Sequence, residues 1–306
     1  MDAEVGFFGA GNASGNEFEA TTLEPDTTPS KTVLVFASCG LASDPPGTAG
    51  FVAGVVGMAL ADTSSTVKHG TVSALDENGQ VATDSRRFFS SGRCLVALSG
   101  ATDDAPKQAE FVSFTDGGSP GFTLNWTDVT GSLHRWGYLM MVAKDSGSFR
   151  LINETQPGAT GDQELVPTGD AFTPIGALLM STCGTADGTV ETNGLLSLGG
   201  GADNDPGGGI WYGSEDTSDP TNTIMRTDEA KTFMLKEDVF DLNAPDAEAD
   251  LDFTNERSAI LDWTTVDVAA REFMALLFGN DEYVEMNPAP AMTPRVLPNA
   301  ISYGQM

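Results

Sequence analysis

The sequence predicts an all-β protein: two tandem, duplicated β-sandwich domains of a jelly-roll-like kind, followed by an extended C-terminal arm. Two observations predict the fold class. The 306 residues include 35 glycines and 16 prolines, a composition that favours short strands joined by turns over long helices. Short apolar runs also recur between turn signals, which is typical of a sandwich or a barrel. A third observation, an internal repeat, predicts the duplication.

The repeat is clearest around two of the four tryptophans. TLNWTDV, which contains Trp126, has a counterpart in ILDWTTV, which contains Trp263. Five pairs of blocks in one order indicate two related domains, at residues 1–144 and 145–285. The other four pairs are residues 11–29 with 157–174, 32–40 with 175–184, 109–115 with 247–254, and 134–141 with 270–278.

Residues 286–306 fall outside the repeat and carry four prolines. Proline cannot continue a helix or a central strand. We therefore expect an extended arm. Two alternatives stay open for it: an arm laid on a neighbouring subunit, or a frayed terminus.

In the first domain, apolar stretches at residues 32–38 and 51–61 are predicted strands. The second stretch, FVAGVVGMALA, is too short to cross a bilayer as a helix and is interpreted as a buried strand. RCLVALS at residues 93–99 is the next strand. Three further strands follow at residues 110–114, 122–126 and 136–142.

The sequence DGGSPG at residues 116–121 joins two of these strands with strong turn chemistry. In TLNWTDV, Leu124 and Trp126 alternate with polar residues, which predicts a strand with one buried face.

In the second domain, residues 177–182 and 231–236 are predicted strands. The only helix-like window is VDVAAREFMAL at residues 266–276. Its counterpart, DVTGSLHRWGY, contains glycine and poor helix formers. Both are therefore interpreted as a loop that leads into a strand, with room for a short helical turn in the second domain.

Charge is the strongest global signal, with 44 acidic against 15 basic residues and a net charge of −29. Such self-repulsion destabilises a compact fold in dilute buffer. In molar salt the Debye length falls to about 3 Å and the repulsion is screened. A halophilic source is therefore predicted; the alternatives are a cation-binding protein or an acidic mesophilic one. Nucleic acid is not expected as a partner, because no basic stripe could neutralise phosphates.

Clustered carboxylates are the candidate metal ligands. An Asp-Asn-Asp triplet precedes three glycines near residue 205, and three aspartates lie between residues 246 and 252. Their oxygens suit Ca²⁺, Mg²⁺ or Na⁺, although neither set has EF-hand spacing. Diffuse surface acidity is the alternative, and no cofactor is expected to be required. The candidate ligands are Asp203, Asp205, Asp246, Asp250 and Asp252.

No motif predicts an enzyme. The G-x-S-x-G pattern around Ser119 would need a strand, a sharp turn and then a helix, but a strand is predicted to follow. The three cysteines, Cys39, Cys94 and Cys183, form no disulfide framework or zinc motif. The adjacent aromatic pair at residues 211–212 is a candidate for stacking on a glycan, with core packing as the alternative.

The order of motifs in each half resembles a β-rich domain that recurs, often in tandem, among virion proteins of tailed viruses of bacteria and archaea. The second half departs from this pattern where Asp262 precedes the tryptophan without a Gly-Phe-Thr lead-in, so a different turn is expected there. The matching pieces are Thr28-Pro29 and Thr173-Pro174, Thr185-Ala-Asp-Gly188, Leu195-Leu-Ser-Leu-Gly199, Phe111-Val-Ser-Phe114, Gly121-Phe-Thr-Leu-Asn-Trp-Thr127, and Tyr138-Leu139.

With the acidity, this resemblance implies a virion component of a tailed virus that infects a halophilic archaeon. It implies no catalytic residues. A capsid decoration or turret subunit is expected first, and a tail or fibre protein for host attachment is the alternative. A glycan-binding or glycan-cleaving sandwich protein is a further alternative.

The expected partners are copies of itself in a symmetric homo-oligomer, other virion proteins such as the major capsid protein, and a host cell-surface glycan. The N-terminus lacks the basic and apolar regions of a signal peptide. No membrane insertion is expected, and the expected location is the virion, assembled in the host cytoplasm.

Overall fold

A computed structural model describes residues 1–9, 13–38, 51–61, 67–77, 85–99, 104–129, 135–167, 172–203, 205–216, 223–236, 245–253 and 258–281. These residues contain strands and no helix, and the strands form four antiparallel sheets. The predicted all-β sandwich class is confirmed. The predicted arm at residues 286–306 lies outside the described residues.

The first half contributes a large and a small sheet. The first large sheet has the order β1-β10-β3-β4-β5-β6, and the first small sheet has the order β2-β9-β8-β7. The strands are β1 (Asp2–Gly9), β2 (Gly15–Ala20), β3 (Thr32–Ser38), β4 (Phe51–Ala61), β5 (Val67–Glu77), β6 (Ser85–Ser90), β7 (Leu95–Ser99), β8 (Asp104–Thr115), β9 (Gly121–Val129) and β10 (Arg135–Val142).

The second half also contributes a large and a small sheet. The second large sheet has the order β11-β21-β13-β15-β16-β17, and the second small sheet has the order β12-β20-β19-β18. The strands are β11 (Gly147–Thr155), β12 (Gly161–Leu165), β13 (Thr173–Ser181), β14 (Val190–Thr192), β15 (Gly194–Ala202), β16 (Asp205–Ser214), β17 (Thr223–Asp228), β18 (Phe233–Leu235), β19 (Ala247–Asp252), β20 (Ala259–Thr265) and β21 (Glu272–Asn280).

The two halves share one strand order. With β14 set aside, each strand of the second half occupies the sheet position of its counterpart in the first, so that β11 corresponds to β1 and β21 to β10. In both halves the first three strands alternate between the sheets, and later strands form meanders. Residues 144 and 145 lie in the turn between β10 and β11. A domain boundary there and a common origin of the halves stay predictions.

One close backbone approach occurs at matching places in both halves. A Cβ at Gly57 on β4 would lie 1.7 Å from the carbonyl oxygen of Cys94, and a Cβ at Gly199 on β15 would lie 1.9 Å from that of Thr232. No side chain fits at such distances, so glycine is required where the large sheet passes the residue just before β7 or β18, the edge strand of the small sheet. The coincidence also fixes which residues of β4 and β15 correspond.

The four sheets are stacked in the order first small, first large, second large, second small. Between the first two lies a core that contains Trp126, Trp136 and Phe122. Between the last two lies a core that contains Trp263 and Phe273. The alternation in TLNWTDV is confirmed, because Leu124 and Trp126 are buried while Thr127 is exposed.

A third apolar core joins the two large sheets, and this middle core links the halves. The first half contributes side chains of β3, β4, β5, β6 and β10, and the second half those of β11, β13 and β21. Part of each large sheet is therefore covered on both faces, which explains why a strand such as β4 has a near-continuous apolar sequence. The fully buried members of the middle core are Val33, Met58, Leu60, Val72, Phe89, Phe149, Met180, Met274 and Leu276.

Strand β14 of the second half extends a sheet of the first half. Val190 pairs with Phe88 and Thr192 with Arg86, so β14 is hydrogen-bonded to the outer edge of β6. This strand addition joins the halves through backbone bonds as well as through side chains.

The helix-like window is a loop followed by a strand, as predicted: residues 266–271 contain no regular structure, and β21 follows. Within the described part of the chain, no helical segment has the length and hydrophobicity needed to traverse a lipid bilayer.

The middle core predicts that Leu276→Ala destabilises both halves together. Leu276 is fully buried in it, and removing such a side chain costs about 2–5 kcal/mol. Urea unfolding would be followed through Trp126 and Trp136 alone, in a background with Trp211 and Trp263 replaced by Phe.

We expect these first-half tryptophans to report a lower midpoint for Leu276→Ala. The control is Val268→Ala in the same background, because Val268 is fully exposed. An unchanged midpoint in the first half would show that the halves unfold independently.

Candidate functional site

The predicted metal ligands lie in two different layers. Asp203 is in the turn between β15 and β16, where its N–H donates to the Ile175 carbonyl oxygen at 2.9 Å, and Asp205 begins β16. The other three lie at or on β19 of the second small sheet. The two sets therefore lie on or beside strands of two different sheets.

Lysines accompany the set on β19. The Asp250 carboxylate lies 2.7 Å from Lys231 Nζ, and the Asp246 carboxylate lies 4.0 Å from Lys236 Nζ. Among the described residues, no three His, Cys, Asp or Glu side chains converge as a metal-binding group. The Ca²⁺, Mg²⁺ or Na⁺ site stays a prediction.

The aromatic pair on β16 is divided between two faces. Trp211 points into the core of the second sandwich and is buried. Tyr212, the next residue on the strand, points to the opposite face and is half-buried. Only Tyr212 could therefore contact a ligand from solvent.

The candidate nucleophiles lack the required surroundings. Ser119 lies in the β8–β9 turn, and strand β9 follows it where an elbow would need a helix. Cys94 and Cys183 are free and buried, and burial raises the pKa of both thiols, which disfavours the reactive thiolate. Cys39 lies outside the described residues.

The T-A-D-G turn that carries part of the family resemblance holds the two halves together. Asp187 accepts hydrogen bonds from the backbone N–H of Ser91 at 3.0 Å and from the Ser91 hydroxyl. The N–H of Gly188 donates to the Phe89 carbonyl oxygen at 2.9 Å, and Gly188 has a φ of 72°. The turn thus docks on the end of β6.

A buried ion pair reinforces this contact. Arg87 on β6 donates from Nε and Nη2 to one carboxylate oxygen of Glu191 on β14, at 2.9 and 2.7 Å. The other oxygen of Glu191 accepts from the N–H groups of Thr185 and Ala186. Glu191 therefore links the guanidinium of one half to the turn of the other.

A second set of ion pairs joins the halves at the β10–β11 end. Asp281 lies 3.0 Å from Lys31 Nζ of the first half and 2.7 Å from Arg150 Nη2, and it accepts from the Ser148 hydroxyl at 2.6 Å. Burial acts to raise the pKa of Asp281, but the hydrogen bonds from Ser148, Lys31 and Arg150 outweigh it and lower the pKa. The carboxylate is therefore held in its charged form.

Carboxylates on β1 and β2 form a group that the sequence did not single out. Glu4 on β1 accepts hydrogen bonds from the Thr22 N–H at 2.9 Å, the Leu23 N–H and the Tyr138 hydroxyl at 2.7 Å. Burial acts to raise the pKa of Glu4, but these bonds outweigh it and lower the pKa. Glu4 therefore fixes the chain that follows β2.

Glu19 on β2 behaves differently, because burial and repulsion from Glu17 raise its pKa to about 7. The folded state keeps a proton there that the unfolded chain releases, so the contribution of this group to stability falls as the pH rises from 4.5 to about 7. Among the described residues, the hydrogen bonds of Glu4 go to Thr22, Leu23 and Tyr138 of the first half, so we assign no binding role to this group.

Two apolar surfaces remain exposed on the sheet faces that form the middle core. The β1 flank consists of Ala3, Val5 and Phe7; Val5 is 69% and Phe7 78% exposed. They share a face with Leu139, which packs against the middle core. The sequence holds a signal for this flank: in a strand, the pair Phe7-Phe8 must place one ring on each face.

The second surface, the β17 flank, consists of Ile210, Tyr212, Met225 and Thr227. Ile210 pairs with Thr227, Tyr212 pairs with Met225, and Met225 is 66% exposed. A groove of about 530 Å³ adjoins it, with Leu178, Leu198, Gly208 and Glu229 among its lining residues. Contiguous exposed apolar surface of this kind marks contact or ligand sites.

In comparisons with known proteins, no protein-family model matches the chain and no curated protein is similar to it in sequence.

The Arg87–Glu191 pair predicts a large effect of Glu191→Gln on stability. The substitution leaves the buried Arg87 guanidinium without a counter-charge, which costs about 3 kcal/mol. Urea unfolding in 3 M KCl would measure the loss, because buried pairs are screened little by salt.

The double variant Arg87→Met with Glu191→Gln should recover most of this loss, since it removes both charges and keeps an acceptor for the Thr185 and Ala186 N–H groups. Asp2→Asn is the surface control, because the Asp2–Lys144 pair is about half exposed and should matter by less than about 1 kcal/mol. Equal losses for Glu191→Gln and Asp2→Asn would contradict the assignment.

Proposed function

We propose that this chain is a non-enzymatic structural protein of the virion of a tailed virus with a halophilic host. In this proposal it lies on the capsid surface as a decoration or turret subunit and is assembled in the host cytoplasm. Its partners are further copies of itself, in a symmetric homo-oligomer, and the major capsid protein.

The observation that carries the proposal is the pair of exposed apolar flanks beside the middle core. Val5 and Phe7 on one side, and Met225 on the other, extend the apolar faces that are buried in the middle core. A chain that worked alone would leave these faces in water, whereas a subunit of an assembly covers them. The virion assignment itself rests on the resemblance of the repeated motifs.

Two other uses compete with the capsid role. A tail or fibre protein for host attachment fits the same resemblance. A glycan-binding protein is favoured by one specific observation: the half-buried Tyr212 lies on the same face as the 530 Å³ groove, and aromatic rings beside such grooves suit sugar rings.

The halophilic part of the proposal predicts that salt stabilises the chain. With a net charge of −29, the melting temperature should be higher in about 3 M than in about 0.1 M KCl, because the Debye length shortens from about 10 to about 3 Å. A higher melting temperature in low salt would contradict a halophilic source.

The location in the particle is tested by a low-resolution map of purified virions, with antibody fragments against this chain as markers. Many copies spread over the head would support the capsid role. A few copies at the tail would support attachment instead, and particles without the chain would contradict both. A glycan array probed in high salt tests the remaining alternative, a glycan-binding protein.

A further inference from the structure

The contact between the two halves joins surfaces that correspond to each other only in part. The second half uses β11, β21, β13 and β15, whereas the first half uses mainly β3, β4, β5 and β6. By the shared strand order, β13 corresponds to β3 and β15 to β4, so these strands take part on both sides. The outer strands differ: β11 corresponds to β1, and β5 and β6 correspond to β16 and β17, so their counterparts carry the β1 flank and the β17 flank.

Residues at corresponding positions of β1 and β11 differ in burial. Strands β1 and β11 correspond when their last pairs are aligned, Gly9 with Arg135 and Thr155 with Glu272. Val5 then corresponds to Leu151. Leu151 is only 7% exposed because the first half covers it, while Val5 is 69% exposed.

Residues at corresponding positions of β5 and β16, and of β6 and β17, differ in burial in the same way. Val72 pairs with Val56 and Phe89, as Ile210 pairs with Leu198 and Thr227. Val72 and Phe89 are fully buried in the middle core. Their counterparts, Ile210 and Thr227, are half-buried and exposed.

Inside the chain, the space above Gly70 on β5 is filled by the other half. A Cβ at Gly70 would lie 2.9 Å from Asn153 Oδ1 and 3.1 Å from the Met274 sulfur. The counterpart of Gly70 is Gly208, which lines the open groove beside the β17 flank.

The β1 flank offers a side chain for that groove. By the alignment of β1 with β11, Asn153 corresponds to Phe7, and Met274 corresponds to Gly137. The Phe7 ring lies over Gly137, with 3.3 Å between Phe7 Cε1 and the position of a Gly137 Cβ. Phe7 thus occupies, on the first half, the place that Asn153 and Met274 share on the second.

We propose that the chain self-associates head to tail, with the β1 flank of one copy covering the β17 flank of the next and Phe7 inserted into the groove at Gly208. The occupant of each flank is a second copy of this chain, because each flank corresponds to strands that the other half covers inside the chain. The inference deepens the proposed structural role and rests on it. Since the two surfaces differ, the contact is heterologous and builds a ring, or a filament if the rotation does not close.

Two variants each disable one surface. Phe7→Asp places a charge in the groove-filling position, and Thr227→Arg places a long side chain in the groove. Val268→Asp is the matched control, because Val268 is fully exposed outside both flanks. Thermal melts establish that each variant is folded, and sedimentation velocity in 3 M KCl measures the mass.

We expect the wild type and Val268→Asp to form assemblies larger than a dimer, and each flank variant to be monomeric at concentrations about tenfold or more above the wild-type midpoint. Mixing the two flank variants should give a 1:1 dimer and nothing larger, because one intact flank of each kind remains.

A monomeric wild type, or flank variants that assemble like the wild type, would overturn the proposal. So would a mixture that stays monomeric, or a dimer of either flank variant alone, which would indicate a contact between identical flanks. If the wild type assembles but the flank variants have no effect, only the head-to-tail contact fails. The virion role is decided separately by the particle map.

Discussion

Each large sheet carries apolar side chains on both faces, so each must be covered twice. The small sheet of the same half covers one face, and the large sheet of the other half covers part of the second face. Burial of apolar area is the main favourable term in folding, and it is shared here among three large cores in series and a smaller cluster around Leu75, Phe88 and Val96. The other links between the halves, the β14 strand addition and the ion pairs of Arg87 and Asp281, lie around the middle core and fix its register.

Several basic residues of this acidic chain form buried ion pairs. Arg87, Arg150 and Arg271 are almost fully buried, and each pairs with a carboxylate that is at most one-third exposed. Because each of these pairs is neutral, the whole net charge of −29 is carried by the other ionisable residues. Buried pairs are screened much less by salt than exposed charges are, so the same solvent that relieves the surface repulsion leaves these links in place.

The sequence predicted those parts of the fold that depend on local patterns. The run FVAGVVGMALA is strand β4, the DGGSPG turn joins β8 to β9, and Trp126 and Trp263 are buried. The middle core could not be predicted. A continuous apolar sequence indicates that both faces of a strand are covered, but it does not show which element covers them. Strand β14 was missed for a similar reason: three residues carry no periodicity, and the partner of β14 lies in the other half.

The turn between Val142 and Gly147 gives the two halves an advantage that separate chains lack. A short tether holds its ends at an effective concentration of about millimolar, so a surface of modest affinity is kept occupied within one polypeptide. Two free copies that met through corresponding surfaces would need a comparable local density. That local concentration is reached only where many copies are already gathered. The contact between the halves therefore forms at any concentration, whereas the contact between copies forms only at the place of assembly.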